Sequence, residues 1–126
     1  MSIGYIYFKG EKIIKMNLEG ITDSKTAIEH VIKITQMLHE SVEKVLVLVN
    51  VKNYMPGNGF LEYSTRTLST RAEKIKKAAY IGIGKRNKKM YEHYDKFNSN
   101  IVNRQTFEDE SSALLWLIGF MSEYDK

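Results

Sequence analysis

The chain has 126 residues, of which 43% are hydrophobic and 27% charged, with a net charge of +4 and no cysteine. This length and composition predict a single globular domain, and the lack of cysteine excludes disulfides, thiolate metal sites and thiol catalysis. The amino-terminal stretch MSIGYIYFKGEK lacks the basic and apolar regions of a secretory signal. The apolar runs Val45–Val49 and Ala113–Met121 are shorter than the roughly 20 residues of a membrane span. We therefore expect a soluble, cytoplasmic protein.

The positive charge is concentrated in one segment of the sequence. Between Arg66 and Lys89 lie nine basic residues and one acid, Glu73, so this segment carries +8 and the remainder −4. Such a segment can attract an anionic partner. It has no interleaved aromatic residues and no known nucleic-acid motif, so solvated helix surfaces are the favoured interpretation and nucleic acid is not an expected partner.

The first third of the chain predicts a hairpin followed by a helix. Gly4–Phe8 and Lys12–Leu18 favour strands, because they are rich in aromatic and β-branched residues. Thr22 or Asp23 is a candidate N-cap for a helix that runs to about Glu40. Its predicted buried stripe consists of Ala27, Ile28, Val31, Ile32, Thr35 and Leu38.

The middle of the chain alternates between strand and helix patterns. Val45–Val51 is apolar on both faces until Asn50, which predicts a central parallel strand covered on each side. A second helix follows, and its predicted stripe consists of Leu61, Thr65, Leu68, Ala72 and Ile75. Ala78–Gly84 predicts the next strand, and Asn87–Phe97 predicts a third helix.

The last predicted elements are a strand at Arg104–Phe107 and a helix from about Asp109 to Tyr124. The resulting order is β-β-α-β-α-β-α-β-α. It predicts an α/β domain with a mostly parallel five-stranded sheet, an antiparallel edge from the amino-terminal hairpin, and four helices. No linker or internal repeat divides the chain, so residues 1–126 are expected to form one domain.

Three stretches of sequence are similar to one known family. Gly20–Asp23 matches its turn into the first helix, Lys76–Gly84 resembles its basic-then-apolar fourth strand, and Phe107–Leu117 resembles its closing Phe, polar link and Ala-x-x-Trp-Leu. The chain thus resembles the SpoIIAA-like family, within the STAS fold of anti-sigma-factor antagonists and transporter regulatory domains. The resemblance implies a non-enzymatic regulatory or ligand-binding domain, and we expect no cofactor or metal.

The chain departs from the anti-sigma antagonists at one motif. In those proteins the loop after the third strand reads Asp-Ser-Ser-Gly, and a serine there is phosphorylated. The matching stretch here is Pro56-Gly57-Asn58-Gly59, which has no hydroxyl group. We therefore expect no serine switch of that kind.

Two loops form the candidate binding site. In an open α/β sheet, ligands bind beyond the carboxyl ends of the parallel strands, where Asn50–Gly59 and Gly82–Asn87 are expected to lie side by side. Gly57 and Gly59 permit a positive φ and a close approach of the backbone. The candidate ligand- or partner-binding residues are Asn50, Asn53, Tyr54, Gly57, Asn58, Gly59, Phe60, Gly84, Lys85 and Arg86. The alternative is a loop in which glycine and proline serve only to make the turn.

These loops leave two functions open. The first is docking of a protein partner, as in a regulatory module. The second is binding of a small apolar or anionic molecule by a carrier or sensor. Gly82–Arg86 is neither a P-loop nor a dinucleotide fingerprint, although Lys85 and Arg86 could hold an anion.

The sequence gives little support for an enzyme. His30 and His39 are nine residues apart on one helix, with His30 predicted to face solvent, so they lack the i, i+4 spacing of a helical zinc site. His93 lies among Tyr91, Glu92 and Asp95 in a predicted surface cluster. No nucleophile elbow or paired carboxylate pattern is present.

The final helix is apolar nearly all round. Ala113, Trp116, Leu117 and Phe120 are predicted to cover the sheet. The interface candidates that remain are Leu114, Leu115, Ile118 and Met121. A helix that is hydrophobic on all sides is normally buried on all sides. Either a neighbouring helix covers this second face, or it meets a partner or a second copy in a homodimer.

Overall fold

The structure is a computed structural model that describes residues 2–55, 57–85, 88–89, 91–92 and 102–119, without the side chains at positions 58, 61, 65, 68 and 69. Its strands and helices follow the alternating order expected from the sequence. The strands are β1 (Ile3–Phe8), β2 (Glu11–Asn17), β3 (Val45–Asn50), β4 (Ile75–Ile81) and β5 (Arg104–Phe107). The helices are α1 (Ser24–Glu40), α2 (Asn58–Arg71) and α3 (Glu110–Leu117).

The five strands form one mixed sheet in the order β1-β2-β3-β4-β5. The β1–β2 hairpin is antiparallel, and every other neighbouring pair is parallel. Val47 of β3 lies opposite Ala78 of β4, so the two apolar strands run side by side in the same direction, as predicted. The α/β class and the five-stranded sheet with its antiparallel edge are confirmed. Three helices are described instead of four, and most of the predicted helix at 87–97 lies outside the described residues.

Side chains alternate across the strands and build an apolar layer on each face of the sheet. On one face Ile14, Val47 and Ala78 pack under α1 and α2. On the other face Ile13 and Leu48 pack under α3. The central strands are therefore apolar on both sides because both sides are covered.

Helix α1 begins as predicted and buries Ala27, Val31 and Leu38 as predicted, but the rest of its buried face is shifted. Asp23 caps it, since its Oδ2 accepts a hydrogen bond from the Thr26 amide at 2.9 Å. Ile32 is exposed, and His30, predicted to face solvent, is buried. The imidazole can be buried because its Nδ1 lies 2.8 Å from the Thr26 carbonyl oxygen, four residues earlier. The buried positions are Ala27, His30, Val31, Ile34, Met37 and Leu38.

Strand β4 begins three residues before the predicted start at Ala78. Helix α2 ends at Arg71, and a 3-10 turn at Ala72–Lys74 leads directly into the strand. Ile75, predicted to be helical, pairs with Val45 at the start of β3. The strand also ends earlier, at Ile81, so Gly82 and the residues that follow it form a loop beyond the sheet.

Helix α3 is shorter than the predicted Asp109–Tyr124. Asp109 caps it, with Oδ1 accepting from the Ser112 amide at 2.7 Å, and it ends at Leu117. Gly119 stops it with a φ of +73°, a conformation that commonly terminates helices. No helix in the described part of the chain has the length and apolar character to cross a membrane.

The basic segment is divided between different parts of the fold. Lys74 Nζ donates to the carbonyl oxygen of Ser41, the C-cap of α1, at 2.7 Å. Lys77 Nζ donates to the Trp116 carbonyl oxygen near the end of α3 at 2.8 Å and lies 4.9 Å from the centre of the Trp116 ring. Carbonyl groups at helix ends lack intrahelical donors. By donating to these groups, the two lysines stabilise the packing of α1 and of α3. This part of the charge is structural.

Candidate functional site at the carboxyl edge of the sheet

The loops after β3 and β4 meet at the carboxyl edge of the sheet, as predicted. The Val51 amide donates to the Ile81 carbonyl oxygen at 2.9 Å, which extends the ladder one residue beyond β3. A surface hollow lies where the two loops and the residue after β5 converge. Its lining residues are Lys52, Asn53, Met55, Gly82, Ile83, Gly84 and Glu108.

Gly82 allows the two loops to come this close. Its φ is +87°, and a Cβ at this position would lie 2.6 Å from the Lys52 backbone nitrogen. Backbone atoms cannot move aside as the end of a flexible side chain can, so only glycine fits without displacing the loop after β3. From the sequence alone, Gly82 is expected to be the end of a strand or part of an anion-binding loop, and this close approach is not predicted.

Asn50, a predicted binding residue, instead organises the loop from within. Its Oδ1 accepts from the Lys52 amide at 3.0 Å, and its Nδ2 donates to Glu19 Oε1 at 3.1 Å. Both ends of the amide are therefore engaged with the loops after β3 and β2. Asn50 therefore shapes the site by linking these two loops.

Tyr54 and Phe60, also predicted binding residues, lie beneath the surface. Tyr54 is 2% exposed, and its ring meets Phe60 edge-on with centroids 5.3 Å apart. Burial raises the pKa of the Tyr54 phenol to about 12, and the nearby Asp23 carboxylate contributes to the rise. These two rings join the loop to the core beneath α1 and α2.

The glycines at the start of α2 do not need glycine's special backbone range. Gly57 is the N-cap with a φ of −86°, and no side chain caps the helix. Gly59 is helical, and a Cβ there would meet nothing within 4 Å. The positive φ in this loop belongs to Asn53, at 59°. The expectation that Gly57 and Gly59 make the turn by positive φ is therefore wrong.

The exposed part of the site, which we call the edge patch, is formed by residues from three loops. Met55 is 48% exposed and lies close to the half-buried Ile83. The edge patch consists of Lys52, Asn53, Met55, Ile83, Gly84, Lys85 and Glu108. Of the predicted residues, it contains Asn53, Gly84 and Lys85. Arg86 and the side chain of Asn58 lie outside the described residues.

Lys52, Ile83 and Glu108 are not among the residues that the sequence predicts for the site. The rule that finds the other two loops also points to Glu108, because this residue directly follows the last residue of β5. The Lys85 and Glu108 side chains give the patch both signs of charge. A second hollow continues from it along β5 to Thr106 and Arg104.

The interior has little room for a ligand. The described residues line an apolar cavity of about 40 Å³ between the sheet and the layer of α1 and α2, with Val49, Phe60 and Tyr80 among its walls. Apolar cavities that bind benzene measure on the order of 150 Å³. A small molecule of that size or larger would therefore not fit in this cavity.

The interface candidates on the last helix separate into two groups. Leu114 is buried against the second face of the sheet, so it belongs to the core and not to the predicted outward face. Leu115 is half-buried. Ile118 and Trp116 are also half-buried and pack against the core layer on this face of the sheet, as predicted for Trp116. Met121 lies outside the described residues.

Comparison with protein-family models gives no match, and comparison with curated proteins gives none either. Among solved structures, the chain is similar to an uncharacterized protein of the DUF3478 family from Shewanella loihica PV-4, described as having a SpoIIAA-like fold. The two share 16% sequence identity with a TM-score of 0.62, and the match covers 91% of each chain. At that identity the similarity concerns the fold alone. The architecture and this match together establish that the chain has a SpoIIAA-like fold.

Proposed function

We propose that this protein is a regulatory interaction domain of the STAS type, and that it binds a protein partner through the edge patch. The observation that carries the proposal is the exposed apolar side chain of Met55, on a surface that also carries the basic residues Lys52 and Lys85 and the acidic residue Glu108. Protein interfaces commonly combine an apolar centre with a polar rim, and methionine adapts to differently shaped partners.

The base of the patch supports the same proposal. Asn50 is held by two hydrogen bonds, Tyr54 is packed on Phe60, and Gly82 is in contact range of the Lys52 backbone. A surface that is rigid before binding loses less conformational entropy when the partner docks. The packed residues thus prepare the exposed ones for recognition.

The proposed mechanism does not use a phosphorylated serine at the start of α2. The positions that correspond to the serine motif of anti-sigma antagonists are Pro56–Gly59 in this chain, which supply no hydroxyl group. Binding is therefore proposed to be controlled by partner concentration or by another site. No enzymatic step is part of the proposal.

The test compares two exposed apolar residues at opposite ends of the sheet. Met55→Lys changes an exposed residue of the edge patch, whereas Val42→Lys changes a residue that is 94% exposed in the loop before β3. Immobilised wild-type protein and both variants are used to capture proteins from cell extract, which are then measured by quantitative mass spectrometry. We expect a protein that wild type and Val42→Lys retain and that Met55→Lys loses by tenfold or more, on the order of 1.4 kcal/mol.

The captured protein is then purified, and its affinity for each variant is measured by calorimetry. Equal binding of all three proteins would show that the edge patch is not the docking surface. The alternative function, a carrier or sensor of a small apolar or anionic molecule, is tested by native mass spectrometry. A bound small molecule on the 14.6 kDa chain that is lost in Met55→Lys would favour that alternative over a protein partner.

A further inference from the structure

We propose a second interaction surface, separate from the edge patch: strand β1 pairs with β1 of a second copy of this chain. The strand lies at the edge of the sheet and has β2 as its neighbour on one side. It is six residues long, IGYIYF, without a charge or a proline. Tyr5 is 40% exposed and Tyr7 is 70% exposed.

The hydrogen-bond phase of the hairpin identifies the free backbone groups. The Asn17 amide donates to the Ser2 carbonyl oxygen at 2.8 Å, so Ser2 and Asn17 form a hydrogen-bonded pair. Such pairs alternate along an antiparallel ladder, and the register is regular from Ile3 to Phe8. The residues whose backbone N–H and C=O groups point away from the sheet are therefore Ile3, Tyr5 and Tyr7.

Edge strands of this kind are usually protected against pairing. Common protections are a lysine or proline within the strand, a bulge, or a very short strand. The opposite edge has two of these features, because β5 is four residues long and includes Arg104. Strand β1 has a regular register and none of them within Ile3–Phe8.

A second copy fits this edge because the strand is complementary to itself. In a two-fold antiparallel pairing centred on Tyr5, Tyr5 faces the partner's Tyr5, and Ile3 faces the partner's Tyr7. This register makes all three outward residues hydrogen-bonded pairs, and it brings no two charges together because the strand has none. Gly4 then faces the partner's Ile6 in a close, non-hydrogen-bonded pair, where the missing side chain leaves room for isoleucine.

The pairing would also continue both apolar layers across the two-fold axis. Ile3 packs against the layer beneath α1 and α2, while Ile6 and Phe8 pack against the layer beneath α3. Each layer would meet its equivalent in the second copy. The expected product is an isologous dimer with one continuous ten-stranded sheet.

The absence of native cysteine allows a direct test of this register. In Tyr5→Cys, the two new thiols lie on the two-fold axis with Cα atoms roughly 5.5 Å apart, within disulfide range. In Tyr7→Cys, each new thiol lies opposite the partner's Ile3, so the two thiols are four residues apart along the strands and roughly 14 Å from each other. On mild oxidation we expect Tyr5→Cys to form a covalent dimer of twice 14.6 kDa at least about tenfold faster than Tyr7→Cys.

Tyr7→Cys is the matched control, because its side chain is the more exposed of the two and would link faster by random collision. Equal or faster linking of Tyr7→Cys overturns the proposed register.

Sedimentation equilibrium tests the association without a covalent bond. Tyr5→Pro removes an outward amide that β2 does not use, whereas Tyr5→Thr retains it.

We expect wild type and Tyr5→Thr to be dimers. The dissociation constant of Tyr5→Pro should be about tenfold higher or more, so that it is monomeric at concentrations where wild type is dimeric, since two backbone hydrogen bonds are lost per dimer. Circular dichroism checks that Tyr5→Pro is folded. If it is not, the comparison of Tyr5→Cys with Tyr7→Cys tests the proposed pairing. A wild-type protein that remains monomeric up to about 0.5 mM overturns the proposal. None of these variants changes the edge patch, so the docking function is tested independently.

Discussion

The carboxyl edge of the sheet has two parts that look alike in the sequence and differ in the structure. The packed part contains Asn50, Tyr54, Phe60 and Gly82. Asn50 forms hydrogen bonds within the protein, the rings of Tyr54 and Phe60 pack on each other, and Gly82 allows two loops to approach closely. The exposed part is the edge patch around Met55. Asparagine, tyrosine and glycine in a loop are equally typical of binding and of folding. Changes in the packed part should alter stability, and changes in the exposed part should alter recognition.

The strongest test of this division compares two glycines in the same loop. Gly82→Ala should lower the free energy of unfolding by about 2 kcal/mol or more, because it combines a positive φ with a Cβ 2.6 Å from the Lys52 nitrogen. Gly84→Ala meets nothing within 4 Å and should change stability by less than about 0.5 kcal/mol. Urea denaturation of both variants measures the difference. Equal midpoints would contradict the assignment of Gly82 to the packed part.

A second test uses the buried Tyr54 and its proton. The folded-state pKa of about 12 is above the ordinary value of 10, so the folded protein holds the phenolic proton more tightly than the unfolded chain. This contribution to stability is fully present below pH 10 and is lost as the pH rises from about 10 to 12. We expect the melting temperature of wild type to fall more steeply in this range than that of Tyr54→Phe. Parallel melting curves for the two proteins would place Tyr54 in a solvated environment instead.

The smallest expected effect is a gain in stability at Gly59. Gly59→Ala places a better helix former in α2 at a position where a Cβ meets nothing within 4 Å. We expect the free energy of unfolding to rise by up to about 1 kcal/mol, chiefly because the unfolded chain loses conformational freedom. The same urea titration measures it. A loss of stability would mean that Gly59 has a structural requirement like that of Gly82.

The sheet could be predicted well because its signals are local and repeated. The apolar run at Val45–Val49 is a property of adjacent residues, and so is the alternation around Ile14. The neighbouring position of β3 and β4 follows from that order and from the handedness of crossovers. The predicted meeting of the two loops beyond these strands is confirmed for the same reason.

The errors occur where local patterns allow two interpretations. Ile75 fits the apolar spacing of α2 and also the start of β4. It lies in β4 because it pairs with Val45 of β3. His30 is polar by residue type, but its hydrogen bond to the Thr26 carbonyl oxygen allows burial. The apolar run Ala113–Met121 predicts a helix that continues past Gly119, whereas the positive φ of Gly119 ends the helix region.

The candidate site was harder to predict than the fold because it depends on contacts between distant parts of the chain. The need for glycine at position 82 arises from the backbone at Lys52, thirty residues earlier in the sequence. The burial of Tyr54 depends on Phe60 and on the layer beneath α1. Neither property can be obtained from residue type or spacing alone.

The strand order β1-β2-β3-β4-β5 also bears on how the chain folds during synthesis. Every strand is laid beside the one made just before it, so no strand has to be inserted later between two that are already paired. Domains commonly begin to fold from the amino terminus as they leave the ribosome. Helix α3 follows all five strands in the sequence and covers the second face of the sheet, so that apolar face stays uncovered until α3 has been made.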